Sequence, residues 1–137
     1  MKRIIIFSLM LSLLLSGFSL EAQDKKAKTS VSKKIEVYYF HYTRRCITCN
    51  AVEQVTKDAI AAMYPEQFNK GQIIFKSINL DEKGNEALAK KCKADGSSLI
   101  LMTKGKQVNL TDKAFMYAKN SPEKLKAEIK KVLDSML

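Results

Sequence analysis

The feature that most constrains this chain is Cys46-Ile47-Thr48-Cys49, because of what stands on either side of it. Upstream, Ile35-Glu36-Val37-Tyr38-Tyr39-Phe40 is rich in β-branched and aromatic residues and predicts a strand. Its nearly continuous apolar run suits a central strand covered on both faces. Downstream, Val52, Val55, Ala59, Ile60 and Met63 recur at three- and four-residue steps, the face of a helix running to about Tyr64, with Pro65 as its stop. A dithiol between strand and helix puts Cys46 at a helix N-terminus. Unpaired N–H groups and the positive end of the helix dipole there favour a thiolate over a thiol. Arg44 and Arg45 add positive charge beside it. Such surroundings commonly lower a thiol pKa from about 8.5 to about 3.5–7.5. Cys49 lies about one turn further in, so the two sulfurs can close a small disulfide. Cys46 reads as the attacking, more exposed thiol and Cys49 as the more buried resolving thiol.

The rest of the chain continues the alternation. Gln72 to Leu80 predicts a second strand ended by Asp81, and residues 82–93 a second helix broken at Asp95-Gly96. Ser98-Leu99-Ile100-Leu101-Met102 predicts a third strand, Lys104-Gly105-Lys106 a tight turn, and Gln107 to Leu110 an antiparallel fourth strand. Residues 113–119 allow a short helix. Ser121 suits an N-cap and Pro122 a first helical position, opening a last helix with Leu125, Ile129, Val132, Leu133 and Leu137 as its buried stripe. The expected fold is α/β, in the order β-α-β-α-β-β-α, with a four-stranded mixed sheet flanked by helices and a right-handed crossover in the first βαβ unit.

Cys-x-x-Cys spacing also serves zinc and copper sites or a purely structural disulfide. A structural zinc wants four ligands, and the best candidates here are three cysteines and His41. The soft-metal or metalloid alternative, for Cu(I), Zn or As(III), uses Cys46, Cys49 and Cys92. The redox reading needs neither metal nor cofactor, and leaves Cys92 as a small buried hydrophobe near the end of the second helix. His41, the one histidine, is either a proton acceptor for Cys49 or a strand-end residue with a packing role.

The first residues have the layout of a secretory signal peptide: basic Lys2 and Arg3, an apolar run from Ile4 to Leu15, then small and polar residues up to a cut after Ala22. The run is shorter than the roughly 20 residues of a spanning helix, so no membrane insertion is expected after cleavage. The alternative is an uncleaved N-terminal anchor. Residues 23–34 read as a flexible basic linker, and 35–137 as one domain. Removing residues 1–22 takes the net charge from +10 to +9, since Lys2, Arg3 and Glu21 leave with them. The lysines are scattered and no nucleic-acid motif accompanies them, so nucleic acid is not an expected partner. The expected location is periplasmic or secreted, where the surroundings oxidise thiols.

The element order and the placement of Cys46 and Cys49 resemble the thioredoxin superfamily over residues 35–137. A narrower resemblance is carried by Tyr38-Tyr39-Phe40-His41, Thr43-Arg44-Arg45-Cys46 with Thr48-Cys49, Ser77-Ile78-Asn79-Leu80-Asp81 and Ala114-Phe115-Met116-Tyr117-Ala118. These are similar to a bacterial thioredoxin-like family named as a nitrophenyl compound nitroreductase subunit, a name that refers to nitroaromatic arsenicals. The resemblance implies a thioredoxin-like fold, a redox-active Cys46–Cys49 disulfide and partner subunits. Three departures from ordinary thioredoxins stand out. Arg45 replaces the Trp before the first cysteine, Ser97-Ser98 stands where a cis-proline is expected, and Phe40 takes the place of a buried acid. The expectation is a dedicated exported or membrane-bound redox partner rather than general reductase activity, with Arg44, Arg45, Thr48, His41 and Ser98 supporting the dithiol.

Overall fold

A computed structural model describes residues 33–137. The expected signal peptide and most of the expected linker, residues 23–32, lie outside the described residues. Lys33 and Lys34 are exposed and belong to no element. No helix among the described residues is long and apolar enough to cross a membrane.

The apolar run at Ile35 becomes β1 (Ile35–His41), which sits inside the sheet. It pairs in parallel with β2 (Ile73–Asn79) and antiparallel with β3 (Ser98–Thr103), which pairs antiparallel with β4 (Lys106–Asn109). The sheet order is β2-β1-β3-β4. Gly105, at φ +86°, makes the turn between β3 and β4, a conformation that costs glycine little.

Alternation along β1 sorts its side chains to two cores. Ile35, Val37 and Tyr39 join Val52, Ala59 and Ile60 of α1 (Ile47–Met63), Leu99 and Leu101 of β3, and the two C-terminal helices. Those helices are α4 (Thr111–Tyr117), through Ala114, and α5 (Pro122–Asp134), through Leu125, Ile129, Val132 and Leu133. Tyr38 and Phe40 face the other way, against Ile100 and the smaller helix α3 (Asn85–Lys91) with its cap Cys92. Burying each large aliphatic side chain stabilises the fold by about 1.5–3 kcal/mol, so the first face, with most of them, carries most of the stability.

The α/β fold with a four-stranded mixed sheet flanked by helices is therefore present, with local differences from the sequence expectation. α1 ends at Met63, with Tyr64 as its cap, so Pro65 stops it as expected. What the sequence did not suggest is that Pro65 also opens a separate short helix, α2 (Pro65–Asn69), because a first-turn position needs no N–H. The element order accordingly gains α2, and the short helix allowed over residues 113–119 is present as α4. The helix expected over 82–93 narrows to Asn85–Lys91, since Gly84 at φ +100° delays its start. Ser121 makes no side-chain cap; its carbonyl accepts from the N–H of Lys124 instead. Leu137 lies past the end of α5 and is exposed, and Met136 fills the core in its stead. The C-terminus of α1 is tied to α5 by the Tyr64 hydroxyl, which donates to Asp134 at 2.5 Å and lies 3.3 Å from the Lys130 carbonyl. Burial and the Asp134 carboxylate push the Tyr64 hydroxyl well above its ordinary range, so it stays a donor.

Candidate functional site: a dithiol at the end of the central strand

β1 ends at His41, and residues 42–45 carry the chain to α1. Cys46 is the N-cap of that helix, with extended backbone at φ −79°, ψ 165°. Its sulfur accepts the N–H of Cys49 at 3.0 Å, satisfying one of the helix's unpaired donors. Cys46 and Cys49 are joined as a disulfide with Cα atoms 5.1 Å apart, within the usual span of such bonds. Cys46 is exposed and Cys49 half-buried. Between them Ile47 is 74 % exposed and Thr48 half-buried. The more exposed cysteine is thus also the one at the positive end of a helix of 17 residues.

The loop before Cys46 is fastened at several points. Asp81 Oδ2 accepts the N–H of Thr43 at 2.7 Å, and Asn79 Nδ2 donates to the Thr43 hydroxyl at 3.0 Å. The N–H of Leu80 donates to the His41 carbonyl at 2.7 Å, extending the β1–β2 pairing by one step. Hydrogen bonds from the Thr43 backbone and hydroxyl hold the Asp81 carboxyl below its ordinary range. Tyr42, 46 % exposed, lies against Gly96, with its hydroxyl 3.7 Å from where a Cβ there would stand. The loop leading into β3 therefore adjoins the loop leading into α1.

Arg45 does not point freely at the dithiol. Its guanidinium pairs with Glu53 on the second turn of α1 and lies 5.7 Å from the centre of the Tyr39 ring. Tyr39 is fully buried, and its hydroxyl donates to the Cys49 carbonyl at 2.9 Å. Burial raises the Tyr39 hydroxyl despite the nearby Arg45, so it remains protonated in neutral solution. Burial also pushes the Glu53 carboxyl upward. Hydrogen bonding from Ser77 and Arg45, with the charges of Arg45 and His41, outweighs that and leaves Glu53 below its ordinary range.

The other expected site residues fall as follows. Arg44 is exposed and enters no ion pair among the described residues. His41 is half-buried, its ring centre 5.8 Å from that of Tyr39. Its Nδ1 lies 2.9 Å from the Tyr42 carbonyl, which can only accept, so Nδ1 carries a proton and Nε2 is the open nitrogen. Ser98 is buried at the start of β3 opposite Phe40, and its hydroxyl donates to the Gly96 carbonyl at 2.9 Å. That bond engages the hydroxyl locally, next to the Tyr42 loop. No cis peptide bond occurs among the described residues.

Cys92 is not brought to the dithiol. It is fully buried in the second core, with Tyr38 and Phe40, and its sulfur lies 3.7 Å from Met102 Sδ. Burial pushes its thiol above the ordinary range. The alternative set of Cys46, Cys49 and Cys92 is split between the two sides of the sheet. Among the described residues no three His, Cys, Asp or Glu side chains converge to hold a metal ion.

Sequence reasoning missed Glu53, Tyr39, Asn79 and Asp81 as parts of this site. For Glu53 a signal existed: it stands four residues after Cys49, hence on the same side of α1. No protein-family model matches the chain, and no curated protein matches it.

Proposed function

We propose that this chain is an exported thioredoxin-like protein that exchanges two electrons with a dedicated partner through Cys46 and Cys49. The observation that carries the reading is the exposed residue Cys46 at the N-cap of α1, bonded to a half-buried Cys49. A structural disulfide has no need of an exposed sulfur at a helix dipole, whereas an attacking or attacked sulfur does.

Starting from the disulfide, a partner thiolate attacks Cys46 Sγ. A partner–Cys46 bond forms, the Cys46–Cys49 bond breaks, and Cys49 leaves as a thiolate that takes up a proton. A second partner thiolate then attacks the partner sulfur of the mixed bond, closing the partner's own disulfide and releasing Cys46 as a thiolate. Two electrons have passed from the partner to this chain. The same bonds made in reverse pass two electrons outward. The helix end favours Cys46 as a thiolate, and the Tyr39 bond to Cys49 keeps the first turn seated on the sheet.

A dedicated partner is favoured over general substrates by the surface around Cys46. It offers Tyr42, Ile47 and Arg44, with no Trp. The resemblance to the nitroreductase subunit family makes a redox subunit of a nitroaromatic- or arsenical-reducing system the specific form of that partnership, with the partner exported or membrane-bound. The test is a Cys49→Ser variant expressed in the native host. It is expected to trap one or two dominant mixed disulfides through Cys46, while the wild-type dithiol reduces insulin slowly. Many adducts with fast insulin reduction would indicate a general reductase. No adduct, with stoichiometric Cu(I), zinc or arsenite bound to the wild-type dithiol, would indicate a binding module.

A further inference from the structure

The residue before the exposed cysteine carries a positive charge, but the structure does not leave that charge free. Arg45 and Glu53 pair with side chains only 24 % and 25 % exposed, so solvent screens them less than it screens a surface pair. The Arg45 member of the pair lies over Tyr39, whose hydroxyl donates to the Cys49 carbonyl. Besides Arg45 and Glu53 themselves, the titratable groups facing it are Tyr39 and His41 of β1, while β2 contributes the uncharged Ser77. Arg44, the other nearby cation, is exposed and therefore heavily screened.

We infer that Glu53 is a positioning residue that neutralises Arg45 beside Cys46 and so sets the reduction potential of the dithiol. This rests on the redox reading above. A free cation next to Cys46 would stabilise the thiolate and hence the reduced form, making the disulfide more oxidising. Glu53 cancels most of that effect and keeps the disulfide less oxidising. Glu53 does not serve as the base that takes the Cys49 proton. Its carboxyl is held as a carboxylate by Arg45 and Ser77, and a group so stabilised is a weak acceptor.

The charge argument makes an unusual demand on mutants. Glu53→Gln leaves an unmatched positive charge, while Arg45→Gln leaves an unmatched negative one. Both break the same tether between the loop and α1. If the pair served only to hold the helix in place, both variants would shift the dithiol in the same direction. If it sets the charge at Cys46, they shift it in opposite directions, and the double variant returns toward wild type.

The experiment equilibrates the mature chain, residues 23–137, with reduced and oxidised glutathione. Protein disulfide plus two glutathione thiols gives protein dithiol plus one glutathione disulfide. Alkylation of Cys46 against pH is measured on the same samples after full reduction. Glu53→Gln is expected to move the equilibrium about threefold to tenfold toward the dithiol, where tenfold is about 30 mV, and to move the Cys46 alkylation midpoint down. Arg45→Gln is expected to move both the other way, and Arg45→Gln with Glu53→Gln to lie within about twofold of wild type. Shifts of the same sign in both single variants, or none in either, would overturn the inference while leaving the redox function standing. A wild-type dithiol that does not equilibrate with glutathione at all would overturn the redox function and this inference with it. Circular dichroism of each variant separates these outcomes from unfolding. If a glutamine variant unfolds, Glu53→Asp and Arg45→Lys replace it, and the paired charges they retain are expected to keep the wild-type equilibrium within about twofold. A larger shift in either would overturn the inference.

Discussion

Tyr39 and Phe40 are neighbours on β1 that lead to two different kinds of cysteine. Tyr39 faces the side of α1, where its hydroxyl holds Cys49 and its ring supports Arg45. Phe40 faces the other side, where Cys92 packs against Met102 with no access to solvent. The first side surrounds sulfur with a helix end, exposed surface and a managed pair of charges. The second surrounds it with apolar side chains that raise the thiol pKa and deny it a partner. The residue type is the same; what differs is accessibility and local charge, the two properties that govern thiol reactivity.

The largest expected effect separates the two sides outright. Cys46→Ser should lower exchange with a disulfide partner to the uncatalysed background, while Cys92→Ala keeps exchange within about twofold of wild type. Stopped-flow kinetics with a model disulfide would read both. Lost exchange in Cys92→Ala with a normally folded chain would mean that the two sides communicate.

Next in size is the structural side. Cys92→Ser places a hydroxyl among Tyr38, Phe40, Ala89 and Ile100, and should cost about 1–3 kcal/mol of stability in urea denaturation. Its glutathione equilibrium should stay at the wild-type value. Unchanged stability would mean that this core tolerates polarity more than its burial implies.

Tyr39→Phe tests the active side without touching a charge. It removes the hydrogen bond to the Cys49 carbonyl and should cost about 1 kcal/mol. Hydrogen exchange in the first turn of α1 should rise, while that of α3 on the far side stays unchanged. Equal loosening of both helices would show that the two cores do not respond separately.

The smallest effect is a pH dependence. Glu53 has its folded pKa held below its ordinary value of 4.5, so its contribution is present above that value and is lost as pH falls through the lower folded pKa. Discounted for partial exposure, this amounts to less than about 1 kcal/mol. Glu53→Gln should flatten that part of the acid limb in denaturation curves measured from pH 5 to pH 2. An identical limb in both proteins would contradict the assignment of that carboxylate as paired.

How legible this contrast was in the sequence depended on the range of each cause. The strands and helices follow from local period and turn residues, and the Cys46 N-cap follows from where one period gives way to another. Pro65 marked the end of α1 correctly, but proline can also start a helix, and that it opens α2 was not legible without the backbone path. The direction of Arg45 was not legible. It depends on a partner eight residues along that only a formed helix brings near. The pins from Asn79 and Asp81 to Thr43 span 36 and 38 residues, and exist only once β1 and β2 are paired in register. The separation of Cys92 from the dithiol was equally a matter of which face of the sheet α3 covers, a choice that residues 85–91 do not encode locally.

The most direct test of the whole account is a redox titration of wild-type residues 23–137, alkylated without denaturant at each glutathione ratio and read by mass spectrometry at each cysteine. The account predicts that two thiols become reactive together in a single two-electron transition, that they map to Cys46 and Cys49, and that Cys92 stays unmodified throughout until the chain is unfolded. A transition that involves Cys92, or a Cys46–Cys49 bond that no glutathione ratio opens and recloses, would contradict it.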